Sequence, residues 1–226
     1  MLFRSLPIDG IDGVGTPGRR PQPLLERLDY VAPDRAGLPA HDTYAALSID
    51  GEHRRAAAVE STRGCKHRCS HCPIPALYDG RFVAIPVEVV LADVARLAAD
   101  GVRHLTFADP DFLNGPTHAM RVARAVHAAH PSMTFDITTK VEHVLAHRAL
   151  LPELAALGAV FAVTAVESLD DRVLTVLRKG HTGQDARDAV TALESAGLAA
   201  RPSLMPFSPW ESIGGYGTLL DWIADR

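Results

Sequence analysis

From residue 56 onward the sequence alternates short apolar runs with longer amphipathic ones. AAAVEST (56–62), RHLTFAD (103–109), MTFDITTK (133–140), AVFAVTAVES (159–168) and LAARPSLMPF (198–207) read as five strands. Residues 85–101, 116–130, 141–157, 170–178 and 184–196 read as helices, and 217–226 opens another. In the first of these helices Pro86 suits the first helical position and Gly101 the stop. Val90, Val94 and Leu97 recur there at helical spacing. A strand–helix series of this kind pairs its strands in parallel through crossover helices. The expectation is an α/β fold with a curled or doubly wound sheet and helices outside. Chemistry in such folds gathers at the C-terminal ends of the strands. That rule predicts that the loop after the first strand, the turn at Asp109–Asp111, Lys140, Glu167 and the segment after Met205 converge.

Residues 1–50 read as a Pro/Gly-rich lead-in, partly disordered, with a short helix at LLERL (24–28); residues 51–226 read as the core domain. Net charge is −4, with no basic excess to mark a nucleic-acid or anionic-membrane partner. No apolar run approaches the roughly 20 residues of a membrane helix, and the first residues lack the apolar stretch of a secretory signal. Both ends read as artificial: MLFRS resembles a translated sequencing adapter, and the last helix runs to Arg226 without a cap. The expectation is a fragment of a longer gene.

The three cysteines, Cys65, Cys69 and Cys72, all lie in RGCKHRCSHCPI with the spacing C-x3-C-x2-C. An odd, tight set is a metal or cluster site rather than a disulfide framework, and it points to a reducing, cytoplasmic compartment. Thiolates suit iron–sulfur clusters and zinc. Three of them hold three irons of a 4Fe-4S cube and leave the fourth open. Zinc remains the alternative, because His67 and His71 lie inside the loop and complete a Cys3His set. On that alternative the chain is a zinc-stabilised binding domain. A plain iron–sulfur electron carrier is the other non-catalytic reading.

C-x3-C-x2-C after the first strand of a βα series resembles the signature of the radical SAM superfamily. The similarity extends over most of residues 56–226 and is clearest in VESTRGCKHRCSHCPI, LTFADPDFLNG and VESLDDRVLTVLRKGHT. The last block resembles the Elp3-like core. CKHRCSHCPIPALYDGRFVAIPVEVVLADV resembles the CUAEP/CCAEP-tail radical SAM proteins. The resemblance implies a partial (βα)6 TIM-like barrel, truncated here before its sixth strand. It implies a 4Fe-4S cluster on the three cysteines, with S-adenosylmethionine (SAM) on the fourth iron. One electron from an external reductant would cleave SAM, and the 5′-deoxyadenosyl radical would take hydrogen from an unknown substrate.

The same resemblance assigns further residues. His71 stands where the family has an aromatic group against the adenine. Asp109 or Asp111 replaces the segment that meets the methionyl amine. Glu167 falls where a polar residue meets the ribose. Lys179, with Arg178 beside it, stands where an Arg faces the SAM carboxylate; a Lys keeps the charge and loses the bidentate fork. Thr138, Thr139 and Lys140 end the third strand and line the substrate side without an assigned role. His118, His127, His130, His143 and His147 fall on helical faces and read as packed or solvated histidines.

Overall fold

The computed structural model describes residues 15–18, 29–40, 43–44, 46–49 and 51–226. The short helix expected at 24–28 lies outside the described residues, as does most of the lead-in. Five strands run parallel in the order of the chain: β2 (Glu52–Val59), β5 (His104–Phe107), β6 (Thr134–Thr139), β7 (Ala159–Glu167) and β8 (Ala199–Leu204). They form a curled half-barrel, which is the partial TIM-like architecture expected. A strand not anticipated from the sequence, β1 (Ala46–Ile49), pairs antiparallel with the first half of β2. Beyond it, the free edge of β2 is covered by the segment around Arg35. The Arg35 guanidinium donates to the Ala58 carbonyl (2.9 Å) and pairs with Asp93 (2.7 Å).

Helices fill the connections where the apolar spacing places them: α2 (Val87–Ala99), α3 (Pro116–Ala129), α4 (Val141–Ala146), α5 (Leu151–Ala156), α6 (Asp171–Val176), α7 (Gly183–Ser195) and α8 (Ile213–Ala224). Pro86 sits one residue outside α2, as its N-cap, because its ψ of 137° is not helical. The run 141–157 is broken into α4, a 3-10 turn at Arg148–Leu150 and α5. Pro152 explains the break, since its ring excludes an uninterrupted helix. α8 begins four residues before the expected start, because the Ser212 hydroxyl caps it by accepting from the Gly215 amide (2.9 Å).

Alternation along the strands divides the sheet into two faces. Val59, Leu105, Phe107, Phe135, Ile137 and Ala162 face the helices and are fully buried against Val90, Val94 and Leu97 of α2 and Met120, Ala123 and Val126 of α3. The opposite face mixes polar groups with Ala58, Phe161 and Val163. There Asp136 accepts from the Thr106 hydroxyl (2.7 Å) and lies 2.8 Å from His104 Nε2. Phe112, in a 3-10 turn at Phe112–Asn114, packs on Phe107 with ring centroids 4.8 Å apart. That contact anchors the turn carrying Asp109 and Asp111 to the core beneath it.

Candidate functional site

The connection from β2 to α2 holds the cysteines, and it is more built than a plain loop. β3 (Thr62–Gly64) and β4 (Phe82–Ala84) pair antiparallel and bracket residues 65–81, including the short helix α1 (Ile74–Tyr78). Neither strand was anticipated: three residues of each are too few to show a period. Gly64 turns the chain into the loop at φ +77°, and a Cβ there would overlap the Arg81 carbonyl oxygen. At the far side Ser70 ties the loop to the end of α6. Its amide donates to the Leu177 carbonyl (3.0 Å) and its hydroxyl to the Val176 carbonyl (2.8 Å). These carbonyls are orphans of a helix C-terminus, so the tether satisfies groups that would otherwise need water.

Cys65 and Cys69 are buried and Cys72 is half-buried; all three are free thiols. Burial pushes the Cys65 thiol above its usual pKa, and the His67 amide, 3.5 Å from the sulfur, opposes that shift. Asp111 also raises it and Lys140 lowers it, so both groups lie within electrostatic reach of the thiol. Four donors on one zinc stand about 3.8 Å apart, given a Zn–S bond of about 2.3 Å. Among the described residues, no set of three ligand atoms lying within 4.8 Å of one another includes a cysteine. Three thiolates on one loop need not converge on a single point to hold a cluster. They suit a cluster, in which each binds its own iron, and the soft donor set fits 4Fe-4S.

Asp109, at the end of β5, is 2% exposed. Its Oδ1 accepts from the Ser61 amide (2.8 Å), and its Oδ2 from the Ser61 hydroxyl (2.6 Å) and the Thr62 hydroxyl (2.7 Å). The carboxylate thus latches the start of the cysteine loop onto the neighbouring strand. Burial raises its pKa, and the hydrogen bonds from Ser61 and Thr62 oppose the rise.

Two groups of charged side chains flank the loop. In the first, the end of β7 brings Glu167 to Lys179 (3.2 Å) and to His71 (3.7 Å). Lys179 is 2% exposed. Glu167 has φ +68°, an unusual backbone for a residue with a Cβ, at a register shift between β7 and β8. Burial lowers the His71 pKa, and Glu167 opposes that. The buried carboxylate and the buried ammonium pair with each other. His181 joins this region, its Nε2 3.2 Å from the Val166 carbonyl while its Nδ1 is buried without a partner among the described residues. Arg178, by contrast, is exposed, with φ +54°.

The second group joins the cysteine loop to β6 and α4. Lys140 Nζ lies 2.9 Å from His67 Nδ1 and 3.0 Å from Glu142. His67 Nε2 lies 3.1 Å from His143 Nε2, and His143 Nδ1 lies 2.7 Å from the buried Asp111 Oδ2. Asp111 is held by the Thr139 hydroxyl (3.0 Å). His143 therefore belongs to the strand-end cluster rather than to a bland helical face. Its place at the first turn of α4, three residues after Lys140, was the signal available in the sequence. His118 and His127 satisfy the structural reading, with ring nitrogens 3.1 Å from the Ser61 and Leu157 carbonyls respectively.

A parallel half-barrel with three thiols at the end of its first parallel strand, flanked by buried charges from the next strands, defines a scaffold for an iron–sulfur cluster and an adjoining polar ligand. A sequence model of the Radical SAM superfamily matches residues 59–215, and the chain belongs to that superfamily. It is 24% identical, over 96% of its length, to the tRNA-2-methylthio-N(6)-dimethylallyladenosine synthase of Idiomarina loihiensis, and covers 47% of that protein. Over 32% of its length it is 39% identical to a ribosomal protein uS12 methylthiotransferase of Alkalilimnicola ehrlichii, covering 17% of it. The chain thus spans less than half the length of these relatives. Its fold resembles that of a radical S-adenosylmethionine methyltransferase from Kitasatospora setae with cobalamin and a [4Fe-4S] cluster bound (TM-score 0.65, 19% identity, 76% of this chain and 35% of that one). A 4Fe-4S cluster and SAM are the cofactors of the superfamily, and its members are enzymes.

Proposed function

We propose that this chain binds a 4Fe-4S cluster through Cys65, Cys69 and Cys72 and cleaves SAM reductively to abstract hydrogen from a substrate. The observation that carries the reading is the set of three free thiols on one anchored loop at the end of β2, in a chain with no other cysteine. When bound, the cofactors supply one-electron cleavage of a sulfonium C–S bond and a carbon radical that removes a hydrogen atom. The protein's part is to hold and orient. Gly64, Ser70 and the Asp109 latch fix the loop. Lys179 faces the SAM carboxylate as a point charge, Glu167 accepts from the ribose hydroxyls, and His71 lies against the adenine. Residues 51–226 are the unit that does this.

The reading extends to an electron donor outside the chain and to an unidentified substrate; the net charge of −4 carries no mark of nucleic-acid binding. An odd, tightly spaced set of three cysteines supports a cytoplasmic location. Among the described residues no helix is long and apolar enough to cross a membrane.

The test is electron paramagnetic resonance on anaerobically reconstituted, dithionite-reduced protein, with and without SAM. A reduced cluster signal that changes on adding SAM is expected. A cluster indifferent to SAM, or bound zinc without iron, would overturn the proposal.

A further inference from the structure

We propose that His67, Asp111 and His143 form a site for one divalent first-row transition ion, zinc or ferrous iron, beside the cysteine thiolates and chemically distinct from them. The three residues come from separate elements: the cysteine loop, the turn after β5 and the start of α4. One donor atom from each lies within 4.8 Å of the others. The inference stands whether or not the thiolates carry a cluster.

Asp111 is 1% exposed. The Thr139 hydroxyl (3.0 Å) and the Lys140 amide (3.4 Å) hold its Oδ1, which leaves Oδ2 toward His143. Oδ2 and His143 Nδ1 are only 2.7 Å apart, yet among the described residues neither has an aligned hydrogen-bond partner, and both are shut off from solvent. Buried polar atoms without partners are costly and rare. A carboxylate oxygen and an imidazole nitrogen at contact distance, with no proton aligned between them, suit two donors to a shared cation. An imidazole gives one ion only one of its nitrogens, so with Nδ1 of His143 as the donor beside Oδ2 the 3.1 Å between the two Nε2 atoms is not a donor–donor distance; the His67 donor is placed by the 4.8 Å limit on the three donor atoms. Donors on one ion with bonds of about 2.1 Å stand about 3.0–3.4 Å apart, so an ion would spread the 2.7 Å pair and draw the His67 ring inward.

The donor set selects the ion. Two imidazoles and one carboxylate suit zinc or ferrous iron, whereas magnesium and calcium prefer oxygen alone. Three protein donors leave positions open for water or a substrate oxygen.

Lys140 sets the sign of the test. A neutral His67 that ligates through Nε2 carries its proton on Nδ1, so it cannot also accept from Lys140 Nζ, now 2.9 Å away. Glu142 Oε2, 3.7 Å from that Nδ1, is placed to accept the imidazole proton once Lys140 withdraws. The ammonium and the ion therefore compete for the same pocket of negative charge.

The experiment titrates Zn2+ into the full chain, cluster-reconstituted without oxygen, by calorimetry, and records zinc K-edge X-ray absorption. One zinc per chain is expected, with only nitrogen and oxygen donors. Asp111→Asn and His143→Gln are expected to weaken binding about 100-fold or more, beyond the 10–100-fold of an outer partner. Lys140→Met is expected to tighten it about tenfold or more, by removing a like charge. The Cys65→Ser/Cys69→Ser/Cys72→Ser variant is expected to keep the zinc. The absence of binding at micromolar zinc would mean that Lys140, His67, His143 and Asp111 form a closed hydrogen-bond chain, and the site is refuted. Sulfur in the zinc shell of the wild type refutes it too, and needs no variant to fold.

Discussion

Removal of the Asp109 carboxylate is the sharpest perturbation of the fold around the cysteines. Asp109 accepts three hydrogen bonds from Ser61 and Thr62, and both of those residues are at most 2% exposed. A hydrogen bond to a charged group contributes about 1.5–3 kcal/mol. Asp109→Ala loses all of these contacts and strands the Ser61 amide away from water. Against that, a carboxylate no longer has to be desolvated, which returns a few kcal/mol. The net loss is about 3 kcal/mol, or a fall in Tm of about 6–12 °C for a chain of this length. Asp109→Asn keeps the shape and one acceptor, and the two hydroxyls can rotate to accept from its amide. It should lose less than half as much. The assay is thermal unfolding of protein without cofactors, followed by circular dichroism. If the alanine variant melts with the wild type and only SAM binding suffers, Asp109 is a cofactor ligand and the latch argument is wrong.

Cys69→Ala should abolish cluster assembly, because two thiolates cannot hold the cube; iron and sulfide analysis after reconstitution checks this, and a full complement of both would contradict it. Glu167→Ala should weaken SAM binding at least tenfold while leaving cluster content unchanged, and equal affinity in equilibrium dialysis would remove Glu167 from the site. Burial and Lys179 lower the His181 pKa from 6.5 to about 4. Between those values the unfolded chain binds more protons, so this histidine makes stability fall as pH drops from about 6.5 to about 4. His181→Gln should flatten Tm against pH in that window; an unchanged slope would show that the imidazole is not buried as described.

Much of the architecture is legible in the linear order of residues. A strand–helix alternation with period-2 and period-3.6 apolar spacing is a local property, and parallel pairing follows from it by chain geometry. The same holds for the three cysteines, because a C-x3-C-x2-C loop brings its ligands together within eight residues. Short elements leave no such signal: β3 and β4 owe their existence to each other rather than to any pattern of their own. Pro152 marked a break in the run 141–157, but the apolar spacing on both sides concealed it.

Which charged groups meet was decided only by the tertiary fold. Asp109 and Asp111 are two residues apart and read alike in sequence, yet one closes on Ser61 and Thr62 while the other faces His143. Lys179 and Arg178 are adjacent cations, but only Lys179 is buried against Glu167. His143 looked like any helical histidine until the curl of the sheet brought α4 beside the cysteine loop. Periodicity and spacing report what a segment can do with its near neighbours. A side chain's partner 28 or 76 residues away depends on the register and curvature of the sheet, which no short window contains.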